Sequence, residues 1–275
     1  MKTHRTPRLL RGALLAALTL LAGAGAIAQI RPMRLDIGSP APASVLYIGS
    51  SFFYYNNGIN NIVGNLARAG DPPARPASTM ITISGAGFDW HDVDSYFRPD
   101  AVARYTIDRN NELHFNSRSP LFDVAIMMDC SQCALHPDLK ANFHAYAKKD
   151  AEIVRKHGAR PVFFMSWAYQ DHPEMTQGLA EAYTQIGNDN DALVIPAGLA
   201  FARSLRDHPE IPLYVADKRH PTLAGGYLAA ATTYATIWRR SPVGLKETAG
   251  LPADVALALQ TAAWATVQDY FGARN

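Results

Sequence analysis

Two short segments of this chain carry the residue types that nucleophilic catalysis needs. The first is Val45-Leu46-Tyr47-Ile48-Gly49-Ser50-Ser51-Phe52, an apolar run that ends in a glycine, two serines and an aromatic-rich turn. A serine placed there lies near a helix N-terminus, where backbone N–H groups face any developing anion. The second is Asp217-Lys218-Arg219-His220-Pro221. A serine hydroxyl is a weak nucleophile and needs a base to take its proton. Imidazole titrates near neutrality and suits that role, and a carboxylate on its other nitrogen fixes the tautomer and stabilises the imidazolium. An Asp three residues before a His can do this within one tight turn. Taken singly, each segment has a plain structural explanation: serines cap helices, and an Asp–His pair can be a surface ion pair. Their conjunction in one chain points to acyl transfer.

Other polar features are weaker. Cys130 and Cys133 are the only two cysteines. In an exported protein they form a bridge or remain free thiols. The redox reading of C-x-x-C needs a helix opening at the motif, and Ala134-Leu135-His136-Pro137 follows instead. His91, His136, His144 and His172 are scattered without metal-ligand spacing, so no metal is expected. The G-x-x-x-x-G-K-[ST] phosphate loop is missing, and no cofactor is implied. Trp167 and Tyr169 follow an apolar run and are candidates to line a substrate pocket, or else pack the loop. Phe52-Phe53-Tyr54-Tyr55 reads as core or as the wall of an acyl pocket.

These residues must be positioned by elements of matching order. From residue 44 the chain alternates short apolar runs (44–48, 80–84, 122–128, 161–166 and 192–196) with longer amphipathic ones (58–69, 138–157, 174–188, 198–207, 222–238 and 252–271). The short runs lack a polar face, as strands buried on both sides do. Strands separated by helices imply right-handed crossovers and a parallel sheet. Residues 101–116 break the pattern and read as a small hairpin. In such a sheet, ligands sit beyond the carboxyl ends of the strands. The loops at those ends hold Ser50-Ser51, Gly85-Ala86-Gly87, the Cys130–Cys133 turn, 167–172 and 217–220.

The N-terminus reads as an export signal. Lys2, Arg5, Arg8 and Arg11 precede an apolar run, and Ala26-Ile27-Ala28 is an A-x-A cleavage site. Residues 1–28 are therefore expected to be removed, residues 29–43 to form a tether, and residues 44–275 to form one domain. The formal charge of the 275-residue chain is +2. Removing four basic and no acidic residues leaves 22 basic and 24 acidic, a net of −2. Such a surface favours neither nucleic acid nor an anionic membrane. Stable membrane insertion is not expected, and the oligomeric state is not legible.

Taken together, these segments resemble the SGNH (GDSL-type) hydrolases. Gly49-Ser50-Ser51-Phe52 is similar to their block I, Ile83-Ser84-Gly85-Ala86-Gly87 to block II, residues 122–132 to block III, and Asp217-x-x-His220 to block V. The order and relative spacing match over roughly residues 44–240. The resemblance implies a three-layer α/β sandwich with a central five-stranded parallel sheet of flavodoxin-like type. It implies Ser51 as nucleophile, His220 as base and Asp217 as the group orienting His220. The oxyanion donors would be the N–H groups of Ser51 and Gly85 (preferred over Gly87) and a side-chain amide. The family has an Asn in a G-x-N-D turn for that amide; here Gln132 aligns, with the same group on a longer stem. Ser50 stands where block I usually has Asp, a change that removes no catalytic group. The expected function is a secreted or periplasmic serine ester hydrolase, of carboxylesterase or carbohydrate deacetylase type. The altered block III keeps a second expectation open, a non-catalytic ligand-binding protein on the same fold.

Overall fold

A computed structural model of the chain describes Met1, residues 30–98, Val102 and residues 105–272. The export-signal reading lies outside the described residues. Five strands form one parallel sheet: β1 (Ser44–Gly49), β2 (Ala77–Thr82), β5 (Val124–Met127), β6 (Arg160–Phe164) and β7 (Leu193–Ile195). Their spatial order is β2-β1-β5-β6-β7. The helices are α1 (Ser51–Tyr54), α2 (Ile59–Ala69), α3 (Lys140–Lys156), α4 (Met175–Asp189), α5 (Ala197–Asp207), α6 (Leu223–Trp238) and α7 (Ala253–Phe271). This is the expected three-layer sandwich, with the strand order of flavodoxin-like folds.

The period of two along each strand sorts side chains between two cores. Val45, Tyr47, Val124, Ile126, Val162, Phe164, Leu193 and Ile195 pack with α2, α5, α6 and α7. Leu46, Ile48, Ala125, Met127, Phe163 and Val194 face α3 and α4 on the other side. Both cores are apolar, so the strand sequences show no polar face. Helix α6 is buried at every residue but Leu223. Its Thr232, Thr233 and Thr236 hydroxyls satisfy themselves on the carbonyls of Leu228, Ala229 and Thr232.

Two sequence expectations shift. β2 begins at Ala77, three residues before the expected run. It is an edge strand and partly exposed, so its ladder with β1 fixes its bounds and hydrophobicity does not. Residues 30–43, read as a tether, are strapped to the body. Ile37 enters the core, Arg160 donates to the carbonyls of Ile37, Gly38 and Pro40, and Asn188 holds Met33 and Arg31. The expected hairpin forms as β3 (Tyr105–Ile107) and β4 (Leu113–Phe115). At its tip Asp108 accepts from the N–H groups of Asn110 and Glu112 and pairs with the His114 ring. Among the described residues no helix is long and apolar enough to cross a membrane.

One buried charge stands out. Asp150 on α3 is 1% exposed, and neither carboxylate oxygen has a protein partner among the described residues. Burial pushes its carboxyl up to about 7, partly opposed by Lys149. An unfolded Asp titrates near ~4, so the native state holds an extra proton between about pH 4 and pH 7. Stability of the wild type should therefore fall relative to Asp150→Asn as pH rises from about 4 to 7, and the gap should stay constant above that. Urea unfolding of both proteins across this range reads the difference; a gap that does not vary with pH would show that Asp150 is ionised in the fold.

Candidate active site

Ser51 is the first residue of α1, directly after β1 and the Gly49-Ser50 turn. Its N–H sits at a helix start, where no intrahelical acceptor exists. Its side chain is nearly buried, at 8% exposed. His220 arrives from the far end of the chain, and its Nε2 lies 2.7 Å from Ser51 Oγ. Its Nδ1 lies 2.5 Å from Asp217 Oδ2. With Nδ1 as donor to the carboxylate, Nε2 is left to accept from the serine hydroxyl.

The 217–220 turn is preformed. Asp217 Oδ1 accepts from the N–H groups of Arg219, at 2.8 Å, and His220, at 2.9 Å. Lys218 takes a left-handed φ of 63° to close the turn, and the His220 carbonyl accepts from Val215. Desolvation raises the Asp217 carboxyl, but hydrogen bonds from the His220 ring and from the His220 and Arg219 N–H groups outweigh it. The net result is a carboxyl held down to about 2. The neighbouring 167–172 loop braces the turn: Gln170 N–H donates to the Lys218 carbonyl, and the Trp167 indole N–H donates to that of Arg219.

The remaining site candidates separate into two groups. Gly85 is exposed just past β2 with φ +73°, and a Cβ there would meet nothing. Gly87 is buried, and a Cβ on it would lie 2.8 Å from Asp129 Oδ1. Gln132 is exposed on the turn after β5. That turn is closed by a Cys130–Cys133 disulfide and tied to the 167–172 loop by Ser131 Oγ and Tyr169 Oη at 2.7 Å. Tyr169 is half-buried, with the Arg219 guanidinium 4.2 Å from its ring centre. Trp167 behaves differently from the pocket-lining role read for it. It is 0% exposed, sandwiched between Phe52 and Phe201 at 4.2 Å on each face. Its ring offers substrate no surface; its work is to brace the loop.

Several residues around the site carried no sequence signal. His91 is buried, its Nε2 3.1 Å from the Gly49 carbonyl and its Nδ1 3.0 Å from Tyr96 Oη. Burial pushes its pKa down, against a smaller rise from the Gly49 contact, so it is suited to hold the β1 end as a neutral ring. Asp129 accepts from the Phe88 N–H at 2.7 Å and joins the Gly85–Gly87 loop to the disulfide turn. Burial raises its carboxyl to about 6 despite that bond. Asp129 falls within the block III-like run but no role was legible for it there, and no motif marks His91, because each acts through a contact between distant segments.

No family model matches the chain, and neither does any curated protein. Solved structures do match. A DUF4886 family protein from Bacteroides uniformis is similar at 17% identity and a TM-score of 0.56, covering 84% of this chain and 96% of that one. A catalytic mutant of an acetylxylan esterase from Geobacillus stearothermophilus gives 16% identity and a TM-score of 0.53, over 74% and 96%. TesA gives 12% and 0.50, over 70% and 97%. At these identities the likeness is one of fold: the chain has the α/β fold of the SGNH hydrolases.

The low titration of Asp217 has a consequence for acid stability. A carboxyl at about 2 in the fold and ~4 unfolded stabilises the native state fully above about pH 4 and loses that contribution as pH falls towards 2. The stability difference between wild type and Asp217→Asn should shrink between pH 4 and pH 2 in urea melts; a constant difference would place the Asp217 carboxyl at its ordinary value.

Proposed function

We propose that this chain, a protein of the SGNH hydrolase fold, is an exported serine ester hydrolase acting on small acyl esters such as acetylated carbohydrate. The observation that carries the reading is the unbroken hydrogen-bonded line Ser51–His220–Asp217. In the reaction, Ser51 Oγ bonds to the ester carbonyl carbon while its proton passes to His220 Nε2. The carbonyl electron pair moves onto oxygen, which faces the N–H groups of Ser51 and Gly85 and the Gln132 amide. Collapse of this intermediate expels the alcohol, which leaves with the proton from Nε2. Water then repeats the sequence on the acyl-serine and releases the acid. Asp217, held ionised, keeps Nδ1 protonated throughout and offsets the imidazolium charge.

Two further facts support the esterase class. The Geobacillus acetylxylan esterase was solved as catalytic mutants of an Asp and a His three positions apart, the spacing of Asp217 and His220 here. The half-buried Tyr169 and the exposed Trp90 lie on the loops after β6 and β2, and exposed aromatic side chains there are candidate contacts for a carbohydrate substrate. Export rests on the basic and apolar residues of the first 28 positions and their Ala26-Ile27-Ala28 end.

Ser51→Ala should lower kcat on p-nitrophenyl acetate by at least about a thousandfold, and Gln132→Ala by about a hundredfold, the usual effect of losing one oxyanion donor. Release of p-nitrophenolate measures both. Ser51→Ala with wild-type activity would overturn the nucleophile assignment, and unchanged Gln132→Ala would remove the amide from the oxyanion site.

A further inference from the structure

The segment that follows the nucleophile, residues 52–56, reaches back to the His220 imidazole and the backbone beyond it. Tyr55 lies face to face with His220, ring centres 4.3 Å apart and planes inclined by 11°. Tyr54 stacks behind Tyr55 at 5.8 Å and 26°, and its hydroxyl donates to Ser84 Oγ, beside Gly85. Phe52 closes the edge of the imidazole at 5.6 Å and 81°. Asn56 completes the arrangement: its Nδ2 donates to the Pro221 carbonyl at 3.0 Å and the Thr222 carbonyl at 2.9 Å. Those carbonyls belong to the two residues that follow His220. Asn56 sits at φ 55°, ψ 43°, the left-handed region that asparagine tolerates better than most side chains. Gly226 on α6 gives its amide room, since a Cβ there would lie 3.2 Å from Asn56 Nδ2.

We propose that Tyr55 and Asn56 are positioning residues of the acyl-transfer site, Asn56 clamping the backbone of Pro221 and Thr222 directly after His220 and Tyr55 offering its ring face to the imidazolium. The inference deepens the esterase reading and rests on it. The charge that matters exists only after Ser51 has given up its proton. At that moment a cation lies over the negative face of an aromatic ring, well inside the ~6 Å over which the attraction is felt. The neutral imidazole gains less from the same face, so the contact favours the transition state over the resting state. Asn56 keeps the ring in register with both Tyr55 and Ser51, because the same short segment carries Ser51, Tyr55 and Asn56.

The test is the rate at which a fluorophosphonate probe labels Ser51, together with kcat and KM on p-nitrophenyl acetate. Tyr55→Phe keeps the ring face and should stay within about twofold of wild type in labelling and kcat. Tyr55→Leu should fall about tenfold in both, with KM unchanged. Asn56→Gly keeps the left-handed backbone open but removes the donor, and it should also fall about tenfold in labelling. Thermal unfolding midpoints of all variants confirm that each is folded. If Tyr55→Leu labels as fast as Tyr55→Phe, or Asn56→Gly as fast as wild type, the corresponding role is overturned while the serine nucleophile stands. If folded wild type is not labelled at Ser51, the hydrolase reading falls and this inference falls with it.

Discussion

The hydrogen bond between the Ser51 hydroxyl and the His220 imidazole joins residues 169 positions apart, and most of the surrounding structure serves to keep it short. Neither partner is on a long element. Ser51 begins a helix of four residues and His220 ends a tight turn. Precision therefore comes from what each is fastened to. β1 is flanked by β2 and β5, which fixes where its carboxyl end projects Ser51. The 217–220 turn is held by its own Asp217, by Trp167 and Gln170 of the neighbouring loop, and by the start of α6 through Thr222. A loose contact of this kind loses its effect within about an ångström, so the bracing is part of the chemistry in the proposed reaction.

The bracing draws on the hydrophobic layers beneath. Trp167 links the two levels. Its ring is stacked between Phe52, next to the serine, and Phe201 of α5, in the core shared by α5, α6 and α7. Its indole N–H reaches the peptide before His220. A single buried side chain thus communicates the position of the helical layer to both halves of the site. Phe52 likewise has one face on Trp167 and lies perpendicular to the His220 ring. The supports of the site are thus buried core residues, close-packed as protein interiors are.

Much of this was legible before any coordinates. The five strand runs and six long helices appear within a few residues of where periodicity places them, because two-sided burial writes itself into sequence as uninterrupted apolar runs. Ser51, Asp217 and His220 were legible because their chemistry demands particular residue types at particular places in the strand-and-loop order. What was not legible follows a physical rule. β2 is an edge strand whose bounds come from pairing, not burial, and Trp167 is an aromatic residue after a strand that packs inward when it could equally have faced out. His91, Asp129, Tyr55 and Asn56 act across segments far apart in the chain, and one sequence carries no trace of such contacts. The αL backbone at Asn56 and Asn57 is hinted at by the Asn-Asn-Gly run, but the partner of the Asn56 amide is not.

The turn after β5 shows how a departure from a family pattern can be accommodated. A glycine-containing turn presents a short Asn amide from a flexible loop; here the loop has no glycine and the amide sits on the longer Gln132. A longer stem has an additional rotatable bond and more rotamer entropy to lose. The protein removes freedom from the backbone instead. The Cys130–Cys133 bridge closes the turn at its base, and the Gln132 carbonyl accepts from the Leu135 and His136 N–H groups. Ser131 is held from both sides, by Tyr169 at its hydroxyl and by Ser166 at its carbonyl. Asp129, directly before the bridge, ties the turn to the Gly85–Gly87 loop through the Phe88 N–H. Three strand ends are thereby connected beneath the exposed Gln132 side chain. In the proposed reaction this makes the bridged turn a substitute for the glycine turn, reached by stiffening the loop instead of shortening the side chain.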